Sequence, residues 1–253
     1  FVPPELREDR GEIRAAADGA LPELIETADV RGDLHLHTTA SDGTATVEEM
    51  AAAAAEFGHE YLAIADHATG PGMVGGVGLD DDELLEHADA IRAVDDEVDI
   101  DVLAGVEANI GSEGSISVGE DVLETLECVV ASPHSGLDGD GTDRLVAAVE
   151  HPEVDVLGHP TGRLLNQRPG HDVDIERLAA AAADAGTALE INADPRRLDL
   201  RSSYVKAAVE AGATIAIDTD AHGTGAYANV RFGVHTARRG WVEPADVLNC
   251  RDA

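Results

Sequence analysis

The sequence predicts an α/β fold, a barrel of about seven parallel strands connected by helices, with a metal-ligand cluster at the C-terminal ends of the strands. Three observations carry that prediction. Short apolar runs alternate with helical stretches about seven times along 253 residues, a length usual for a barrel kept as one unit. The runs are rich in Val, Ile and Leu without polar alternation, as strands covered on both faces require. Histidines and carboxylates gather where those runs end, at the pole of a parallel barrel that carries chemistry.

In chain order the predicted strands are Asp33–Leu36, Tyr61–Ala65, Val102–Val106, Cys128–Ser132, Val154–Leu157, Ala188–Ile191 and Thr214–Ile217. The first helix, Thr46–Phe57, opens on Thr46-Val-Glu-Glu49, which has the form of a capping box, and stops at Gly58. Asp80–Val98 places acids in its first turn, where the helix dipole favours them. Asp143–Glu150, Asp174–Ala185 and Ser202–Ala211 follow, the last two halted by Gly186 and Gly212. Alanine, the best helix former, fills these stretches. Ahead of the first strand, Phe1–Pro4 reads as a linker and Arg10–Thr27 as a lone helix.

Hydrophobic residues make up 43% of the chain but aromatics only 3%, so the core is built from Ala, Val, Leu and Ile. The formal charge is −34, from 51 acidic and 17 basic residues, and Lys206 is the single lysine. Self-repulsion on that scale destabilises a compact chain at low salt, whereas molar salt shortens the Debye length to about 3 Å. A cytoplasmic protein of a halophile is therefore expected. Acids interleave with clean apolar runs, which excludes an acidic disordered chain. Cys128 lies in an apolar run and reads as a small buried hydrophobe, and it and Cys250 form no disulfide framework or C-x-x-C pair. No apolar run approaches the roughly 20 residues needed to span a membrane, so no membrane partner is expected.

The ligand candidates sit at the strand ends. His35 and His37 close the first strand, and their i, i+2 spacing turns both imidazoles to one side. Asp42 follows in a Gly-bearing loop. Asp66-His67 ends the second strand, Glu107 the third, His134 the fourth and His159 the fifth; Asp220 and His222 repeat the i, i+2 spacing after the last. One such histidine is ordinary. Six of seven strands ending alike is not. His35, His37, Asp42, His67, Glu107, His134, His159, Asp220 and His222 are too many for one tetrahedral ion. Mixed imidazole and carboxylate donors suit Zn, Mn or Fe, and about two or three ions would use them all. Such a cluster activates water and holds both oxygens of an in-line displacement, which is phosphate-ester hydrolysis. Asp33 and Asp218 share the parity of the ligand pairs and compete for the role. Glu190 and Asn192 either orient ligands or merely pack. His59, His87, His151, His171 and His235 are expected at the surface, with His171 the least certain.

The segments His35-Leu-His37-Thr-Thr-Ala-Ser-Asp42-Gly, Ile64-Ala-Asp66-His67, Gly105-Val-Glu107, Ser132-Pro-His134-Ser, Gly158-His159-Pro160 and Thr219-Asp220-Ala-His222 resemble the motifs of PHP (polymerase and histidinol phosphatase) domains. The resemblance runs from about Arg31 to Trp241 and implies a distorted (βα)7 barrel with a trinuclear metal centre. It implies that His35, His37, Glu107 and Asp220 hold one ion, that Glu107 bridges to a second with His134 and His159, and that Asp42, His67 and His222 hold the third. Many relatives carry His where Asp42 stands, and the harder carboxylate shifts preference from Zn toward Mn. The segments Phe1–Ile13, His159–Leu165, Glu190–Leu200 and Gly233–Trp241 are similar to the PHP domain of bacterial and archaeal family X DNA polymerases. That similarity implies Mn-dependent 3′–5′ exonuclease and 3′-end processing activity. It makes residues 1–30 the linker and helix of a preceding domain and residues 31–253 the phosphoesterase barrel, with a polymerase covalently linked in the parent protein.

A metal-activated hydroxide would attack the terminal phosphorus, with His35, His37, Glu107, His134, Asp220 and His222 as the catalytic set. Arg163, in the loop after His159, is the first candidate for gripping a phosphate; Arg168, Arg196 and Arg197 are weaker ones. DNA 3′ ends are the expected partner, although so acidic a surface predicts weak binding by this chain alone. Two rivals remain: a phosphatase for a small phosphomonoester such as histidinol phosphate, and a non-catalytic, metal-stabilised scaffold.

Overall fold

The computed structural model describes residues 1–70 and 77–252. Seven parallel strands run in the order of the sequence: β1 Gly32–Leu36, β2 Tyr61–Ile64, β3 Asp101–Asn109, β4 Cys128–Ser132, β5 Val156–Leu157, β6 Ala188–Asn192 and β7 Ile215–Asp218. Among the described residues there are eight α-helices: α1 Glu12–Asp18, α2 Val47–Phe57, α3 Asp81–Asp95, α4 Glu120–Leu123, α5 Thr142–Val149, α6 Ile175–Ala185, α7 Ser202–Glu210 and α8 Val230–Arg239. None is long and apolar enough to cross a membrane. The predicted (βα)7 barrel is what forms.

The barrel is nearly closed. At the seam the backbone joins once near the rim, where the His37 N–H donates to the Ala221 carbonyl at 2.8 Å. Below that, two buried carboxylates replace the missing ladder. Asp33 accepts from the N–H and hydroxyl of Thr219, and Asp218 accepts from the Leu34 N–H at 2.8 Å. A register irregularity between Asp33 and Leu36 breaks the alternation along β1. Asp33 and Asp218 therefore stitch β1 to β7 and join none of the groups able to hold a metal ion.

Strand parity sorts the rest. Leu189, Ile191, Ile215 and Ile217 pack with Leu178 and Ala182 of α6, Val205 and Ala208 of α7, and Val234 and Ala237 of α8. On the other parity Ala188, Val130, Cys128, Val156 and Ala216 fill the barrel floor, and Glu190 and Asn192 continue that line upward. The small residues let the helices lie close; Ala51 and Ala54 of α2 are wholly buried. The capping box at α2 forms in both directions, at 3.3 Å (Glu49 N–H to Thr46) and 3.0 Å (Thr46 N–H to Glu49). Gly58 ends the helix at φ 106°, a left-handed value that favours glycine.

Two expectations need correction. The helix expected over Arg10–Thr27 is only Glu12–Asp18; Gly19 turns left-handed at its end, and Pro22 follows. The remainder wraps the barrel: Leu6 and Ile25 are buried, the Ile25 N–H donates to the Val242 carbonyl at 3.1 Å, and Glu5 pairs with Arg238 of α8 at 2.8 Å. Nor are all five remaining histidines at the surface. His235 is exposed and His151 half-buried, but His59 and His171 are buried and His87 nearly so. His171 bonds the Pro160 carbonyl at 2.8 Å. On α3, Leu84, His87, Ala88 and Ile91 share one helical stripe, so the spacing already marked His87 as inward-facing.

His59 packs between Phe57 and Tyr227, with neither ring nitrogen hydrogen-bonded. Burial pushes its pKa from the ordinary 6.5 down to about 4. Between those values the unfolded chain takes up a proton that the folded chain refuses. His59 therefore makes stability fall as pH falls through that window, by about 3 kcal/mol in all. His59→Phe should flatten the dependence of the unfolding midpoint on pH between 6.5 and 4. Equal slopes in wild type and variant would contradict this.

Candidate metal centre

The nine predicted ligands come together at the C-terminal rim around Glu107. β3 sits mid-barrel and delivers this carboxylate to the axis; its side chain has no solvent exposure. His159 Nε2 lies 3.0 Å from Glu107 Oε1, and His35 Nε2 and His134 Nε2 both lie 3.3 Å from it. On the other oxygen, His67 Nδ1 is at 2.7 Å and His37 Nε2 at 3.6 Å. His37 Nε2 is also 3.2 Å from Asp220 Oδ1. Asp42 Oδ1 stands between His222 Nε2 at 3.3 Å and His67 Nε2 at 3.5 Å.

Three groups of donor atoms are tight enough to hold an ion: His37, Asp42, His67 and His222; His35, His37 and Glu107; and His67, Glu107 and His134. His159 joins through Glu107, and Asp220 through His37. The donor set fits divalent cations on its own chemistry. Both Glu107 oxygens, His35 Nε2 and both ring nitrogens of His37 are buried without a hydrogen-bond partner. Groups of that kind are costly to bury unless something pairs with them.

The imidazoles are aimed by a layer of acceptors behind them. His35 Nδ1 donates to Glu190 at 2.6 Å, His134 Nδ1 to the Asn109 side-chain oxygen at 2.7 Å, and His222 Nδ1 to the Asp220 carbonyl at 2.8 Å. Each bond leaves Nε2 as the free donor toward the centre. Glu190 also accepts from the His159 N–H. Asn192 donates to Asp220 at 3.0 Å. Glu190 and Asn192 thus bond to the predicted ligands His35, His159 and Asp220, and Asn109, which the sequence did not single out, does the same to His134. Asp66 supports the loop that carries Asp42: it accepts from the Thr38 N–H at 2.7 Å and from the Thr38 and Ser41 hydroxyls, with His87 behind it at 2.8 Å.

Backbone shape contributes too. Asp220 and His159 have positive φ, 53° and 24°. Side-chain-bearing residues held there store strain, a feature that collects at functional sites. Gly158 precedes His159, and a Cβ on it would meet the Ser132 hydroxyl at 2.3 Å. Burial, helped by the Arg197 charge, lowers the His159 pKa to about 3 and keeps the ring neutral. Burial opposes charging of His222, but its bond to Asp42 and the field of Asp220 prevail and raise it to about 9.

The arginines rank differently from expectation. Arg163 is half-buried, and its guanidinium donates to the Arg197 carbonyl at 2.9 Å and to the Leu198 carbonyl. It ties two loops together. Arg168 donates to the Gly162 carbonyl at 2.9 Å and Arg196 holds Asp194. Arg197 is the one of the four that touches the centre, 3.4 Å from Asp220 Oδ2.

Residues 33–194 match the PHP domain family. This chain belongs to that family. A DNA polymerase/3′-5′ exonuclease PolX of Bacillus subtilis is 39% identical over 255 residues, which is 99% of this chain and 44% of that protein. The chain thus spans less than half the length of that relative. A probable phosphatase of Shewanella sp. strain MR-4 is 33% identical over 204 residues, 75% of each chain. Among solved structures, a histidinol phosphate phosphatase of Lactococcus lactis, complexed with zinc, L-histidinol and phosphate, superposes with a TM-score of 0.58 at 17% identity, over 82% of this chain and 94% of that one. That likeness is one of fold. Together with its His and Glu clusters, membership makes this PHP chain a metal-dependent phosphoesterase.

Glu190→Gln keeps the shape of the side chain behind His35 and His159 but cannot accept from both. Competition with a chelator should show divalent-metal affinity falling about 10- to 100-fold while the far-ultraviolet spectrum is unchanged. Wild-type affinity in the variant would remove Glu190 from the centre.

Proposed function

We propose that this PHP chain removes nucleotides from the 3′ end of a DNA strand by hydrolysing the terminal phosphodiester. One observation carries the reading. Similarity to the polymerase/exonuclease runs over 99% of this chain, beyond the family match at residues 33–194, whereas the phosphatase relative aligns over 75%. The parent protein would then join this chain to a polymerase, and DNA 3′ ends would be its partner.

Divalent ions at the rim would supply an activated water and neutralise charge on the phosphoryl oxygens. The chain's own residues do the positioning. Glu107 gathers the imidazoles from both sides, Glu190 and Asn109 hold His35 and His134 in orientation, and Asn192 holds the Asp220 carboxylate. Arg197 offers a charged donor beside Asp220 for a non-bridging phosphate oxygen. The Asp42 carboxylate favours Mn over Zn in its group.

The second reading is a small-ester phosphatase, which the family also contains. The test is nucleotide release from a 3′-labelled single strand with Mn²⁺ at high KCl, beside phosphate release from histidinol phosphate, with His35→Ala as the blank. Mononucleotide release from DNA, lost in the blank, is the expected result. Turnover of histidinol phosphate alone would overturn the reading in favour of the phosphatase.

A further inference from the structure

The distribution of charge around the rim is lopsided. The chain carries 17 basic residues against 51 acidic ones. Five of the basic ones, Arg163, Arg168, Arg196, Arg197 and Arg201, lie in the two loops that follow β5 and β6. These loops are fastened together: Leu165 N–H donates to the Arg196 carbonyl at 2.6 Å, and the Thr161 hydroxyl to Asp199 at 2.9 Å. Of their four acids, Asp199 is buried on Thr161 and Asp194 pairs with Arg196, while the exposed Asp172 and Asp174 stand at the α6 end of the first loop, Asp174 capping that helix. Arg168, Arg196 and Arg201 are exposed. The loops after β1, β3 and β4 instead present Asp42 and the exposed acids Glu113, Asp138 and Asp140.

The arginines line three hollows, the first of them beside the metal centre. Arg196 borders that open groove of about 430 Å³ together with its partner Asp194 and with Asp220 and His222. Arg163 borders two further hollows, one of about 380 Å³ reaching Arg168 and one of about 170 Å³ reaching Arg201 and Tyr204, where Asp172 is the acid among the described residues. At that far end the Arg201 guanidinium lies 3.9 Å over the Tyr204 ring. A cation stacked on an aromatic face, reached along a basic groove, is how proteins hold single strands without reading their sequence.

We propose that these two loops are the track for the single strand leading to the metal centre. The strand's phosphates follow Arg168 and Arg201, a base rests on the Arg201–Tyr204 face, and the acidic side of the rim repels it. This rests on the phosphodiesterase reading and names the side from which its substrate arrives. A local track also answers the acidic surface, since the attraction need not come from the protein's net charge.

The experiment is fluorescence anisotropy of an oligothymidylate blocked at its 3′ end by phosphorothioate linkages, titrated with the full chain across a range of KCl. Arg201→Glu and Arg168→Glu should each weaken binding about tenfold and reduce the salt slope by roughly 0.7 per lost phosphate contact. Tyr204→Leu, which keeps an apolar group against the core, should weaken it about tenfold with the slope unchanged. Arg251→Glu, an equal change in net charge at the opposite pole of the barrel beside Glu60 and Tyr61, is the control. No strand binding by the wild type, or an equal loss in Arg251→Glu and Arg201→Glu, would overturn the track. Hydrolysis of thymidine 5′-p-nitrophenyl phosphate, measured beside it, reports on the phosphodiesterase reading separately, because that ester is too short to reach Tyr204.

Discussion

Glu107 is a carboxylate with no solvent around it, and four imidazole nitrogens lie within 3.3 Å of its two oxygens. A buried charge survives only when something of opposite charge satisfies it. Burial works to protonate Glu107, and the field of His134, His35 and His67 overrides it. That field still leaves both Glu107 oxygens without a hydrogen-bond partner, and the unmet demand is what fits the site to divalent cations. Every strand of the barrel except β6 places one of the nine predicted ligands at its end or in the loop beyond it, and β6 contributes Glu190 and Asn192, which bond to His35, His159 and Asp220.

The barrel is shaped around that constraint. Its floor is apolar and its upper interior polar, and the change occurs along single strands, as from Ala188 to Glu190 and Asn192. The seam between β1 and β7 is closed by Asp33 and Asp218 rather than by a backbone ladder. Asp33, buried beneath the centre, spends both oxygens on N–H and hydroxyl donors, whereas Asp218 uses Oδ1 on the Leu34 N–H and the Asn249 amide and its Oδ2 has no hydrogen-bond partner. Asp220, two residues beyond Asp218, faces His37 instead. Arginine divides in the same manner: Arg163 is consumed by carbonyls, while Arg197 is left facing Asp220.

Much of this was legible in the sequence. Buried parallel strands write themselves as unbroken apolar runs, and residues at strand ends stand at fixed offsets from those runs, so the seven strands and the nine side chains that meet at the rim were readable. What was not readable depends on contacts distant in the chain. Asn109 looks like any residue closing a strand until His134 is seen against it. The N-terminal segment resembled a long helix because its composition is helical; Gly19 and tertiary packing on α8 limit it to seven residues. Arg163 turns toward the carbonyls of Arg197 and Leu198, a direction that its proximity in sequence to His159 does not reveal. His59 offered no signal at all, as a lone histidine before a strand is ordinarily exposed.

The central claim is that Glu107 gathers the metal ions into one cluster. The most direct measurement is metal stoichiometry by mass spectrometry, with anomalous scattering to place each ion, in wild type and Glu107→Gln. Wild type should bind up to three ions, one for each donor group, and the variant should keep only the ion of the Asp42, His67 and His222 group. Equal stoichiometry and equal ion positions in the two proteins would contradict the account.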